Sequence, residues 1–188
     1  MVLNLLENIF LNKKLYLLLC FVFCSFKQAD HSKLSNKIYS SYNKELCKKE
    51  KLYLVGKGGS MINGTVNKVN AAYISHEKVD IDAARRLFVT IAEGYISRYN
   101  QNEQIRPYLC TYPFTIDNFK VRIAFEDKPG PYSQRVGGGY VAFIFNIPGK
   151  NRLYYDLYNH ETGKFVSLHD ESYDTAREIV LAEKLPGN

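Results

Sequence analysis

A chain of 188 residues has room for one domain with a sizeable core, and not for two ordinary ones once an export signal is set aside. Its 15 tyrosines and 11 phenylalanines, against 6 prolines and 12 glycines, exclude a largely disordered chain. The net charge of +6 permits attraction to anionic surfaces, but the lysines and arginines are dispersed, with no arginine-rich run, RNA-recognition signature or zinc finger, which argues against nucleic acid as a partner.

Residues 1–26 have the layout of an export signal or short membrane anchor: Lys13 and Lys14 precede the apolar run Leu15–Phe26, and polarity returns at Lys27. The run is too short to cross a bilayer comfortably as a helix, which favours export, with lipidation at Cys24 disfavoured by the bulky Phe23 before it. The expected location is periplasmic, envelope-attached or secreted, with membrane contact only through this segment.

Residues 32–188 are expected to form one α+β domain. Leu34, Ile38, Tyr42 and Leu46 recur every four residues and predict a first helix docked by one narrow stripe. Leu52–Val55 follows, and then Gly56, Gly58 and Gly59 read as a break; GKGGS lacks the spacing of a phosphate-binding loop and is read as a plain turn. Asn63-Gly64-Thr65 matches a glycosylation acceptor, and Val66–Ser75 predicts a strand.

The stretch from Ile81 to Glu126 organises the rest. Ala84, Leu87, Phe88, Ile91, Tyr95 and Ile96 follow helical spacing, with Asp82 as the expected N-cap. Phe119, Val121, Ile123 and Phe125 then alternate with Lys120, Arg122, Ala124 and Glu126, as in a strand with one face on a core. Pro107 and Pro113 hold the connection, and Tyr112-Pro113 is the bond to inspect for a cis isomer against a trans default. Arg85 and Arg106 are read as structural, pairing with Glu103 or capping helix-end carbonyls, with anion binding as the functional alternative.

Asp127–Gly139, with two prolines and four glycines, predicts a long mobile loop, and loops of this length are uncommon without a role. Tyr140–Ile147 is apolar on both faces and belongs near the sheet centre; Leu153, Tyr155 and Leu157 alternate with Tyr154, Asp156 and Tyr158; Phe165–Leu168 is a short last strand. Asp170 or Ser172 caps a final helix with Tyr173, Ala176, Ile179 and Val180 on its apolar side. Strands joined by tight turns imply an antiparallel sheet, here of four to five strands with about three packed helices.

The words RRLFV, YNQNEQIRPYL and YPFTIDNFKVRIAF, at Arg85–Val89, Tyr99–Leu109 and Tyr112–Phe125, resemble those of an uncharacterised family of small exported or lipoprotein-like proteins of chlamydia-like and related bacteria. The likeness covers roughly residues 66 to 180. It implies bacterial export and a shared fold, and it carries no activity or catalytic residues to this chain.

Two readings of the chemistry remain open. The first is a non-catalytic module binding a protein or envelope component through Tyr154, Asp156, Tyr158, Arg135 and Tyr140, that is, through the outer face of one strand and the glycine-rich loop. Here Cys47 and Cys110 are buried or joined in a disulfide. The second is a small cysteine-dependent hydrolase, with Cys110 as nucleophile, His160 or His169 as base and Asp170 orienting it. No surrounding word matches a known hydrolase motif, His160, Glu161, His169, Asp170 and Glu171 lack metal-ligand spacing, and no cofactor-binding motif is present.

Overall fold

The computed structural model describes residues 31–183, so the export-signal segment and the end at Leu185-Pro186-Gly187 lie outside the described residues. Helix α1 (residues 31–49) is followed by β1 (Tyr53–Ile62), β2 (Thr65–Ser75), α2 (Ile81–Gln101), β3 (Phe119–Phe125), β4 (Phe143–Asn146), β5 (Arg152–Asn159), β6 (Lys164–Ser172) and α3 (Tyr173–Ala182). The fold is α+β, with one six-stranded sheet whose strands lie in chain order. Among the described residues no helix is long and apolar enough to cross a membrane.

The expected all-antiparallel sheet of four to five strands is corrected in two places. The β2–β3 pair is parallel, from Val69↔Phe119 to Ser75↔Phe125, while every other pair is antiparallel. The reason is α2, which carries the chain back along the sheet as a crossover, whereas a tight turn would have reversed it. The extra strand is β1, which runs straight through the glycines read as a turn. Glycine serves close backbone approach here: a Cβ on Gly59 would sit 2.6 Å from the Lys68 carbonyl oxygen, and the pairing carries bulges at Leu54/Gly56 and Ser60/Met61. Asn63 and Gly64, both at positive φ, close the β1–β2 hairpin in the manner of a type I′ turn.

Among the described residues the three helices pack on one face of the sheet. The α2 stripe holds at Ala84, Phe88, Ile91 and Tyr95, which are fully buried together with Tyr99, while Leu87 and Ile96, expected on it, are only partly buried; the N-cap is Asp80, whose carboxylate accepts from the Ala83 amide, and not Asp82. Arg106 donates to the Asn100 carbonyl at 2.9 Å and so caps the helix exit, and the Tyr112-Pro113 bond is cis.

Helix α1 docks through a wider and more polar stripe than expected: Ile38, Tyr39, Tyr42, Asn43 and Leu46 are all buried. Asn43 donates to the Tyr95 hydroxyl at 2.7 Å and accepts from the Tyr73 hydroxyl at 2.5 Å, while Tyr73 and Tyr95 share a hydrogen bond of 2.8 Å. Each buried polar atom of this cluster has a partner, which is the condition for hydroxyls in a core. Burial raises every phenol of the group, Tyr39 to about 12 and Tyr73 and Tyr95 further, so all stay neutral donors.

Helix α3 starts at Ser172, which accepts from the Thr175 amide, and buries Tyr173, Ala176 and Val180; Ile179, expected on that side, is exposed. Arg85 of α2 reaches under the sheet end to donate to Glu171 at 2.8 Å and also pairs with Asp82. Glu171 accepts in turn from the Tyr155 hydroxyl at 2.5 Å.

An open aromatic face as the candidate functional site

Strand geometry sends alternate side chains to opposite faces, so the fold decides which residues stay uncovered. On β3, β4 and β5 the residues Val121, Ile123, Ile144, Leu153 and Tyr155 are buried beneath the helices. The intervening positions face away from the helices and are half-buried or exposed: Lys120, Arg122, Phe143, Phe145, Tyr154, Asp156 and Tyr158. Phe165 of β6 pairs with Tyr158 across the strands and is 46% exposed.

These rings touch one another in sequence around the face. Tyr154 stacks on Phe145 at 5.2 Å, Phe145 meets Phe143 at 5.2 Å, Phe143 meets Phe165 at 5.7 Å and Phe165 meets Tyr158 edge-on at 5.2 Å. Since Phe143 lies on β4 and Phe165 on β6, their contact passes over β5 beside Asp156, which pairs with Phe143 on one side and Ser167 on the other. Asp156 is half-buried, and desolvation raises its carboxyl above the usual carboxylate range. Among the described residues no side chain donates to that carboxylate. The nearby ionic groups are already matched, Arg152 with Asp170 on this face and Arg85 with Glu171 on the other.

At its β5 end the aromatic face opens into a cleft of about 570 Å³ lined by Glu126, Ser133, Gln134, Arg135, Tyr158 and His160. The segment after β3 builds its wall and is tied to the strand at its base by backbone hydrogen bonds. The Asp127 amide donates to the Gln134 carbonyl, the Val136 amide to the Phe125 carbonyl, and Val136 itself is buried. Ser133 donates to Glu126 at 2.6 Å, and Arg135 pairs with the same carboxylate. The ring of His160 stands edge-on to Tyr158 at 5.0 Å.

Thus four of the residues expected to bind, Tyr154, Asp156, Tyr158 and Arg135, share one continuous surface with His160. Tyr140 does not belong to it: its ring is 41% exposed and lies under the Lys78 ammonium at 5.9 Å, on the side where β2 leads into α2. Phe143, Phe145 and Phe165 were outside the expected set. Tyr140–Ile147 reads as apolar on both faces, which suggested that both were covered, whereas on the outer side Phe143 and Phe145 stay half-buried and touch other rings.

The hydrolase constellation does not assemble. Cys110 is exposed beside the start of β2, with its thiol 3.1 Å from the Asn67 side-chain oxygen, while His169 lies on β6 facing Tyr155 and His160 in the turn beyond β5. Strands lie about 4.8 Å apart, so the four intervals from β2 to β6 hold Cys110 and His169 too far apart for proton transfer. The possible disulfide is not formed either, and Cys110 is exposed and not buried. Both cysteines are free, and the Cys47 carbonyl accepts from the amide of Leu52, two residues before Leu54, which pairs with Tyr73, six residues along β2 from the Asn67 that touches Cys110. Six residues of strand span about 20 Å, against a Cα separation of about 5.5 Å in a disulfide. His160, Glu161, His169, Asp170 and Glu171 do not converge either, and among the described residues no group of three such side chains could hold a metal ion.

Compared with family models, with curated proteins and with solved structures, the chain matches none, so its function is read from this geometry.

Proposed function

We propose that this is an exported, non-catalytic binding module that engages a partner protein or another envelope component through the outer face of its sheet. One observation carries the reading: Phe143, Phe145, Tyr154, Tyr158 and Phe165 form a contiguous aromatic surface on a sheet whose helices, among the described residues, lie on the other side. Solvated sheet faces ordinarily alternate to polar residues, and a connected apolar patch on a surface is a feature of interaction sites. Aromatic side chains supply large contact area at small entropic cost, which is why they dominate binding hot spots. Export is supported by the apolar run behind Lys13 and Lys14.

The test is capture of envelope and host-cell proteins on the immobilised mature domain, compared with a Tyr158→Ala, Phe165→Ser double variant. Phe165 lies outside the core and Tyr158 packs only against its edge, and circular dichroism checks that the fold is kept. Loss of the captured species from the folded variant supports the reading, and unchanged capture removes this face from the interaction.

A further inference from the structure

Asp156 is an odd residue to find between aromatic rings. A carboxylate held among phenyl rings loses hydration, and a neighbouring donor or cation ordinarily compensates; here the described residues provide neither. The charged groups around it are spoken for or distant. Arg152 is paired with Asp170, and Arg122 stands two strands away on β3, about 10 Å by strand spacing. An anion placed here would meet the carboxylate, and a neutral apolar ligand would bury it further without a partner.

A cation is the one class of group that satisfies both the ring faces and the acid. Aromatic faces attract positive charge through their quadrupoles, and a planar guanidinium can stack on a ring while its N–H edge donates to a carboxylate. Phe143 and Phe165, with centroids 5.7 Å apart, together with Tyr158 at 5.2 Å from Phe165, flank the position of Asp156 on both sides of β5. Resting on the reading of this face as the binding surface, we propose that Asp156 and the rings of Phe143, Tyr158 and Phe165 form a receptor for an arginine side chain carried by the partner protein. Lys68, Lys120 and Arg122, on the same face over β2 and β3, leave the surface bipolar, so the partner segment lies with its basic residue towards β5. The same carboxylate repels a phosphate backbone, which sets the surface apart from an aromatic nucleic-acid platform whose rings are accompanied by cations alone.

The experiment titrates the mature domain with N-acetyl-arginine-methylamide and follows the ring resonances of Phe143, Tyr158 and Phe165 by NMR, with N-acetyl-glutamine-methylamide and an oligothymidylate as further probes. The expected result is saturable shifts at these rings with the arginine probe, weakened at least tenfold by Asp156→Asn, which keeps size and shape and removes the charge. Absence of shifts up to the solubility limit of the arginine probe, equal binding by Asp156→Asn, or stronger binding of the oligothymidylate at the same rings would overturn the assignment. Capture of a partner separates this proposal from the reading beneath it. A partner lost with the Tyr158→Ala, Phe165→Ser variant but retained by Asp156→Asn rejects the arginine receptor alone, whereas a partner retained by both rejects the binding face.

Discussion

Gly94 of α2 leaves the opening that the ring of Tyr42 from α1 fills: a Cβ at Gly94 would overlap the phenolic oxygen, and that hydroxyl donates to the Thr90 and Ile91 carbonyls at 3.2 and 3.1 Å. Glycine inside a helix ordinarily weakens it by about 0.5–1 kcal/mol relative to alanine, so Gly94→Ala would stabilise an isolated α2. In the protein the sign reverses. Overpacking against Tyr42 predicts a loss of about 1–3 kcal/mol in chemical denaturation, and Tyr42→Ala in the same chain should restore part of it. A stabilising Gly94→Ala would show that α1 does not dock here.

Phe88 is fully buried on α2 and lies edge-on to Tyr173 of α3 at 6.5 Å, so it joins the two helices as well as facing the sheet. Phe88→Ala is expected to cost about 3–5 kcal/mol, as aromatic truncations in cores do. Denaturant unfolding measures it, and a loss below about 1 kcal/mol would mean that the α2 face is wrongly drawn.

Arg85 and Glu171 are each more than nine-tenths buried along their side chains, with Tyr155 donating to the same carboxylate. Arg85→Ala leaves Glu171 buried and without its cation, and the expected cost is about 3–5 kcal/mol, larger than that of any surface pair in this protein. Arg86 and Glu183, at 3.4 Å and both half-exposed, offer the comparison, with an expected effect of about 0–1 kcal/mol.

Asp156 gives a pH signature. Its folded carboxyl titrates above its unfolded value because burial disfavours the charge, so the folded state binds more protons across that interval. Stability from this group is present below the unfolded carboxylate range and is lost as pH rises through the folded value. Asp156→Asn should therefore raise the denaturation midpoint at neutral pH, with the gain shrinking as pH falls towards the ordinary aspartate range. A neutral-pH loss of stability in Asp156→Asn would mean that the carboxylate has a stabilising partner.

The segment after β3 divides into a tip and a base. Tyr132 at the tip is 82% exposed, whereas Val136 at the base is buried and hydrogen-bonded to Phe125. Replacing residues 128–132 by a shorter strain-free turn should change stability by less than about 1 kcal/mol, since loop closure varies by only about 0.6 kcal/mol per doubling of length. Hydrogen exchange should show the Val136 amide protected in both proteins; an unprotected Val136 would return the whole segment to a mobile loop.

Much of the fold was legible because its signals are local. The stripe of Phe88, Ile91 and Tyr95 and the alternation of Phe119, Val121 and Ile123 survive intact from pattern to structure. What failed to read was what depends on a neighbour. Gly56, Gly58 and Gly59 look like a break until β2 lies alongside and explains why no Cβ is wanted at Gly59; Asn63-Gly64 reads as a sequon before it reads as a hairpin turn. Parallel pairing of β2 and β3 follows from where α2 returns the chain, which periodicity does not encode. The candidate site was half visible for the same reason. Tyr154, Asp156 and Tyr158 declare a shared face by alternation along one strand, but Phe143, Phe145 and Phe165 join them only through register across three strands.

The central claim is that the protein works through the face its helices leave open. The most direct measurement places a photoreactive benzoylphenylalanine at Phe165 or, separately, at Arg86, exposed on α2, and irradiates the producing cells. A discrete crosslinked partner from position 165 and none from position 86 is the expected result. A partner captured from position 86 alone would contradict it.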